Sequence, residues 1–144
     1  MMPKYFMSQF HDLLATYIEM FYDETEAPVT KFLTAPEHSI QVGYLSRPKG
    51  TSIASHQHKP TSKVVQGCQE VLLVRKGRLQ VSIYDVQGNF VASQMLKAGS
   101  IFIQYKGGHS FFAPEDVSFV EIKQGPYTPE DKVYFNPVLH ENMK

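Results

Sequence analysis

The chain has 144 residues, with 14 basic and 14 acidic side chains, so its formal charge at pH 7 is zero and its pI is near 7. This length fits one globular domain, and 42% hydrophobic with 19% charged residues argues against disorder. No apolar run approaches the roughly 18 residues of a membrane helix, and the neutral charge disfavours non-specific binding to nucleic acid.

The N-terminal segment, residues 4–22, predicts an amphipathic α-helix. Its large apolar residues recur at three- and four-residue intervals: Phe6, Phe10, Leu13, Leu14, Tyr17, Ile18 and Phe21. Pro28 disfavours a helical conformation in the residue before it, so a connector is expected from there to residue 38. We therefore assign residues 1–38 to an N-terminal helix and connector.

From Ser39 onward the hydrophobic period changes to two, which is typical of β-strands. The predicted strands, separated by glycine and proline turns, lie at 40–46, 52–58, 63–66, 69–75, 78–84, 90–97, 100–104, 109–113 and 117–123. Short strands at regular spacing indicate an all-β sandwich or barrel over residues 39–124. Residues 125–144 contain three prolines and are expected to run over the surface as a C-terminal tail.

Histidine spacing gives the most informative pattern. A strand would place His56 and His58 on one face, and imidazole is a good ligand for zinc, iron, nickel and copper. Glu70 begins an otherwise apolar strand, where a buried carboxylate needs a partner. His109 stands at the start of another apolar strand. The four side chains form a predicted ligand set of three nitrogens and one oxygen.

This spacing resembles the first motif of the cupin family, which is similar to G-x5-H-x-H followed by E-x6-G. Gly50, His56 and His58 match its first half, and Glu70 and Gly77 match its second half. Eleven residues separate the two halves, where the family usually has three or four.

The second cupin motif is matched in part, by Gly99, Gly107 and His109, with Tyr105 and Ala113 at the family's proline and asparagine positions. A narrower likeness is to small single-domain bacterial cupins, several of them encoded near polysaccharide or sugar-nucleotide genes. The shared segments are QEVL at 69–72, GGH at 107–109 and VEIKQGPY at 120–127.

The resemblance implies a cupin double-stranded β-helix, or jelly-roll barrel, with the N-terminal α-helix outside the family pattern. His56, His58, Glu70 and His109 would then converge at one end of the barrel and bind a divalent transition metal: iron, manganese, nickel, zinc or copper. Open coordination positions would accept a small polar substrate such as a sugar, a sugar nucleotide or a keto or hydroxy acid.

Two further residues are candidates for catalysis. Glu121 and Lys123 share one face of the last predicted strand with Phe119. If that face points inward, Lys123 meets an anionic substrate and Glu121 serves as a base; otherwise they form an exposed ion pair. Aromatic wall candidates are Tyr44, Phe102, Phe111 and Phe119. Tyr127, Asp131 and Lys132 belong to either a lid or a dimer contact.

An anionic substrate is also suggested by the distribution of charge. Residues 47–78 hold seven basic side chains and one acidic side chain, Glu70, whereas residues 1–38 hold six acidic side chains and two lysines. The basic segment surrounds the first motif and would attract a carboxylate or phosphate. The alternative interpretation is an ordinary solvated surface.

Three classes of function stay open on the sequence. The first is a metal-dependent isomerase, epimerase or dioxygenase. The second is a sugar-nucleotide ketoisomerase that works without metal, to which the run His56-Gln57-His58-Lys59 is similar. The third is a non-catalytic module that senses or binds a ligand.

Cellular location and assembly are also predicted. A lone Cys68 and a start without a secretory-signal pattern favour the cytoplasm. The aromatic stripe of the predicted helix suggests a homodimer. No nucleic-acid or membrane partner is expected.

Overall fold

A computed structural model describes residues 3–19, 28–65 and 67–138. The chain divides into two compact units, one formed by Met1–Phe21 with Gly67–Lys144 and the other by Tyr22–Gln66. In the described part of the chain, none of the helical structure is long and apolar enough to cross a membrane.

Ten strands lie within the described residues. In chain order they are β1 (Lys4–Met7), β2 (Leu13–Glu19), β3 (Val29–Phe32), β4 (Gly43–Ser46), β5 (Glu70–Lys76), β6 (Arg78–Tyr84), β7 (Phe90–Lys97), β8 (Ser100–Gln104), β9 (Gly108–Phe112) and β10 (Ser118–Lys123). The larger unit contains a five-stranded sheet in the order β1-β2-β8-β5-β10, the large sheet, and a three-stranded sheet in the order β7-β6-β9, the small sheet. Every pairing between these strands is antiparallel, so the predicted all-β class is confirmed.

The core of the larger unit lies between its two sheets. Leu72 and Phe102 of the large sheet share one buried cluster with Leu79, Val81 and Ile83 of the small sheet. Burying each such side chain stabilises the fold by about 1.5–3 kcal/mol. This shared core fixes which face of every strand points inward, and so decides which polar side chains meet inside.

The prediction of an N-terminal helix is wrong, because residues 4–19 form the hairpin of β1 and β2. The Ser8 hydroxyl accepts hydrogen bonds from the backbone N–H groups of Phe10 and Asp12 in the turn. β2 lies between β1 and β8, and residues 14–18 are all buried. A strand buried on both faces loses the period of two, so its apolar positions also fit helical spacing. Positions 20–22 of the predicted helix lie outside the described residues.

The strands predicted between residues 69 and 123 all form, with ends shifted by at most a few residues. No strand forms at 52–58 or 63–65, so the prediction of strands there is wrong; position 66 lies outside the described residues. Residues 40–46 shorten to β4, which pairs with β3 inside the predicted connector. A strand needs a partner for its backbone groups, and alternation alone does not supply one.

The smaller unit is organised around the β3–β4 hairpin. The Arg47 guanidinium joins its two strands by donating hydrogen bonds to the carbonyls of Val29 and Ser46 and to the Thr30 hydroxyl. Residues 51–65 then continue without regular secondary structure, and their side chains are exposed.

The described part of the tail, up to residue 138, folds back on the larger unit. A short 3₁₀ helix spans Pro129–Asp131, and Val138 exchanges backbone hydrogen bonds with Gly88 and Phe90. The Phe135 ring packs edge-on against Tyr84, with ring centroids 5.4 Å apart.

Candidate functional site

Polar side chains of the large sheet point into the space between the sheets at one end. Along β5, Glu70 alternates with the core residues Leu72 and Val74, so it shares their inward face. β10 pairs with β5, and residues directly opposite each other in an antiparallel pair lie on the same face. The opposed pairs are Glu70 with Lys123, Leu72 with Glu121, and Val74 with Phe119. The face carrying Glu121 and Lys123 therefore points inward.

The small sheet contributes a histidine to the same end. β9 pairs with β6 so that His109 lies opposite Ile83 and Phe111 opposite Val81, and both β6 residues are fully buried. His109 consequently faces inward and meets Glu70 across the core. Its Nε2 lies 3.2 Å from Glu70 Oε2, and the two side chains are only 24% and 12% exposed.

The two carboxylate oxygens of Glu70 have different surroundings. Oε1 lies 3.5 Å from the Lys123 ammonium, which is in turn 3.6 Å from Glu121 Oε2. Oε2 is buried and accepts no hydrogen bond from any residue that the structure describes, since His109 Nε2 approaches it at ion-pair distance without hydrogen-bond geometry. A buried acceptor left without a donor costs about 1–3 kcal/mol. Glu70 Oε2 is therefore an unsatisfied atom at the centre of the site.

Burial and charge set the ionisation of this cluster. Burial lowers the pKa of His109, and the opposing effect of the Glu70 and Glu121 carboxylates does not overcome it. Burial alone would also lower the pKa of Lys123, but Glu121 and Glu70 outweigh it and raise that pKa. At neutral pH the imidazole is therefore uncharged, with a lone pair available, while Lys123 stays charged.

Aromatic rings form one side of the site. Phe111 lies beside His109, with ring centroids 4.7 Å apart, and Phe119 follows at 6.1 Å from Phe111. Both phenylalanines are more than a third exposed, so their rings are open to a ligand. Phe102, also predicted as a wall residue, belongs to the closed core instead, and Tyr44 belongs to the smaller unit.

The tail brings three more residues to this cluster. The Lys123 ammonium lies 4.9 Å from the centroid of the Tyr127 ring, and the Lys132 ammonium lies 5.3 Å from the same ring. Burial raises the pKa of the Cys68 thiol, and Asp131 adds to this increase; burial lowers the pKa of His109, and Lys132 adds to this decrease. The sequence predicts either a lid or a dimer contact for these tail residues. In this chain Tyr127 lies beside Lys123, and Lys132 lies beside Tyr127.

The predicted metal ligands fall into two pairs. Glu70 and His109 meet in the larger unit. His56 and His58 belong to the smaller unit, with ring centroids 5.4 Å apart and rings 76° from parallel. His56 Nδ1 lies 2.9 Å from the Ala54 carbonyl, which makes Nδ1 the donor.

Residues 3–19, 28–65 and 67–138 contain no group of three or more histidine, cysteine, aspartate or glutamate side chains placed to hold a metal ion. The four-residue ligand set therefore stays a prediction from the motif.

Comparisons with protein-family models, with curated proteins and with solved structures find no match for this chain.

Proposed function

We propose that this protein is a metal-dependent enzyme acting on a small polar substrate, with Glu70 and His109 as metal ligands. The observation that carries the proposal is the buried Glu70 Oε2, which lacks a hydrogen-bond donor among the described residues and lies 3.2 Å from His109 Nε2. With the His109 proton on Nδ1, both facing atoms would present lone pairs, and a cation between them would satisfy both.

The separation of the two atoms fits this role. Two ligand atoms that each lie about 2.1 Å from one ion, at an angle of roughly 90–110°, are about 3.0–3.4 Å apart. The 3.2 Å between His109 Nε2 and Glu70 Oε2 falls inside this interval. The resemblance to cupins supports isomerisation, epimerisation or oxygenation as the reaction.

The side chains around the pair suggest distinct roles. A bound divalent ion would supply Lewis acidity toward a carbonyl or hydroxyl oxygen. Lys123 holds Glu70 through Oε1 and so keeps Oε2 directed at His109. Glu121, whose side chain is 39% exposed and 3.6 Å from Lys123, is placed to take a proton from the substrate. Phe111 and Phe119 keep water from one side of the substrate.

The direct test is metal binding. Protein stripped with a chelator is titrated calorimetrically with Mn²⁺, Fe²⁺, Zn²⁺, Ni²⁺ and Cu²⁺, alongside elemental analysis of natively purified protein. We expect one ion per chain, and a loss of affinity of at least about tenfold in His109→Ala and Glu70→Gln. His11→Asn is the matched control, because asparagine tolerates the left-handed backbone of His11, whose φ is 63°.

Two results would refute the proposal. One is a wild-type protein that binds none of these ions and shows no thermal shift with them. The other is metal binding that is unchanged in both His109→Ala and Glu70→Gln.

A second candidate function is acid–base catalysis without metal, as in a sugar-nucleotide ketoisomerase. It is favoured by the contact between the Lys123 ammonium and the Glu70 carboxylate. His109 and Glu70 would then exchange protons with the substrate directly. Turnover of a sugar nucleotide that survives exhaustive chelation, and is lost in His109→Ala, would favour this candidate.

A further inference from the structure

Two lysines share the ring of Tyr127, but their surroundings differ. Lys123 lies between the carboxylates of Glu70 and Glu121 and is 16% exposed. Lys132 is exposed, and no carboxylate of the described residues lies within ion-pair distance of it. Its contact with the face of Tyr127 holds the ammonium in place without neutralising it.

The charges beside the Tyr127 ring influence what Lys132 can bind. Lys123 and Lys132 both contact this ring, and Lys123 Nζ lies 3.5 Å from Glu70 Oε1 and 3.6 Å from Glu121 Oε2. These two ammonium groups and two carboxylates balance, so they supply no net positive charge for an anion. A divalent cation between Glu70 and His109 would add two positive charges and so favour an anion at Lys132.

We propose that Lys132, held on the Tyr127 ring, is the specificity-determining residue that binds an anionic group of the substrate, and that this anion binds after the divalent cation. The inference rests on the proposed metal site and names its substrate class: small molecules that carry a carboxylate or a phosphate. The anionic group lies at the tail side of the site, and the reacting oxygen lies toward His109 and Glu70.

The test uses the full chain and measures binding instead of turnover. Wild type, Lys132→Met, Lys132→Arg and the surface control Lys76→Met are titrated with Mn²⁺, and then with oxalate or inorganic phosphate in the presence and absence of Mn²⁺. Comparing the two anions distinguishes a carboxylate from a phosphate substrate. Lys132 is exposed, and matching melting temperatures verify that each variant is folded.

We expect Mn²⁺ to raise the affinity of wild type for at least one of the two anions by about tenfold or more. The same anion then raises Mn²⁺ affinity by the same factor, because the coupling is reciprocal. Lys132→Met lowers anion affinity at least about tenfold while leaving Mn²⁺ affinity within about twofold, and Lys132→Arg retains most of the anion affinity. Lys76→Met behaves as wild type.

The outcomes separate the two proposals. Normal Mn²⁺ binding together with unchanged anion affinity in Lys132→Met overturns the role of Lys132 and leaves the metal site standing. Anion binding that is equal with and without Mn²⁺, or absent in both conditions, overturns the binding order. A wild-type protein that binds no Mn²⁺ and none of the other divalent ions overturns the proposed function, and the inference with it.

Discussion

The close approach of Phe135 to Gly108 gives a quantitative test of how the tail is held beside the site. A Cβ atom at position 108 would lie 2.7 Å from Phe135 Cζ and 2.8 Å from Cε1, whereas carbon atoms in contact are about 3.5–4.0 Å apart. In Gly108→Ala the ring must therefore move by roughly 1 Å. The movement weakens its edge-on contact with Tyr84, worth about 0.5–1.5 kcal/mol, and exposes part of a half-buried ring.

We expect Gly108→Ala to lower the free energy of unfolding by about 1–2 kcal/mol, because the ring belongs to a tail segment that can shift. For a chain of this size the melting temperature falls by roughly 2–8 °C. Urea unfolding of wild type, Gly108→Ala, Phe135→Ala and the double variant forms a double-mutant cycle. In the Phe135→Ala background an alanine at position 108 has no ring to displace, so it does not measurably lower the free energy of unfolding.

The cycle also gives the refuting result. If Gly108→Ala destabilises the Phe135→Ala protein as much as it destabilises wild type, the glycine is not required by the ring. Mn²⁺ titration of Gly108→Ala adds a second readout. The substitution leaves the Glu70–His109 contact in place, so metal affinity stays within a few-fold of wild type under the proposed function.

Three further predictions concern neighbouring features. Gly107→Ala lowers the free energy of unfolding by at least about 3 kcal/mol. The φ of Gly107 is +78°, and a Cβ there would lie 2.2 Å from the Tyr84 carbonyl oxygen. A free energy of unfolding in urea within about 1 kcal/mol of wild type would contradict this. Ser8→Ala lowers the unfolding free energy by about 1–2 kcal/mol, because the N–H groups of Phe10 and Asp12 lose their acceptor; Ser93→Ala, in an exposed side-chain contact, is the control. Burial alone would raise the pKa of Asp85, but hydrogen bonds from Asn89 and from the Gln87 N–H lower it. The resulting stabilisation is present above the unfolded-state pKa near 3.8 and is lost as pH falls through the folded-state value. As the pH is lowered from 6 to 2, the melting temperature of Asp85→Asn therefore falls less than that of wild type. An equal fall in the two proteins would refute the role of Asp85.

Local patterns predict the fold best where turns and alternation agree. Between residues 69 and 123 each strand is bounded by a turn, and Gly77, Gly99 and Gly107 adopt the positive φ values those turns need. The same reasoning fails for β2, which was predicted as a helix, because a strand buried on both faces lacks the alternation of apolar and polar residues. Residues 52–58 have the alternation of a strand, but among the described residues of their unit only β3 and β4 pair.

Parts of the site depend on topology more than on local pattern. Glu70 and His109 are on different sheets, so alternation gives only the inward direction of each side chain. Their expected convergence came from motif spacing. The positions of Tyr127 and Lys132 depend on the path of a proline-containing tail, which no hydrophobic period describes. The charge of Lys132 was visible in the sequence, while its lack of a carboxylate partner in the described residues needed the folded chain.

The position of β2 between β1 and β8 has a consequence for synthesis of the chain. β2 ends at Glu19, and its partner β8 begins at Ser100, about eighty residues later. At roughly 5–20 residues per second, a ribosome needs about 4–16 s to make the intervening chain. During that time β2 has only β1 as a partner, so one edge of the hairpin stays unpaired until β8 is made.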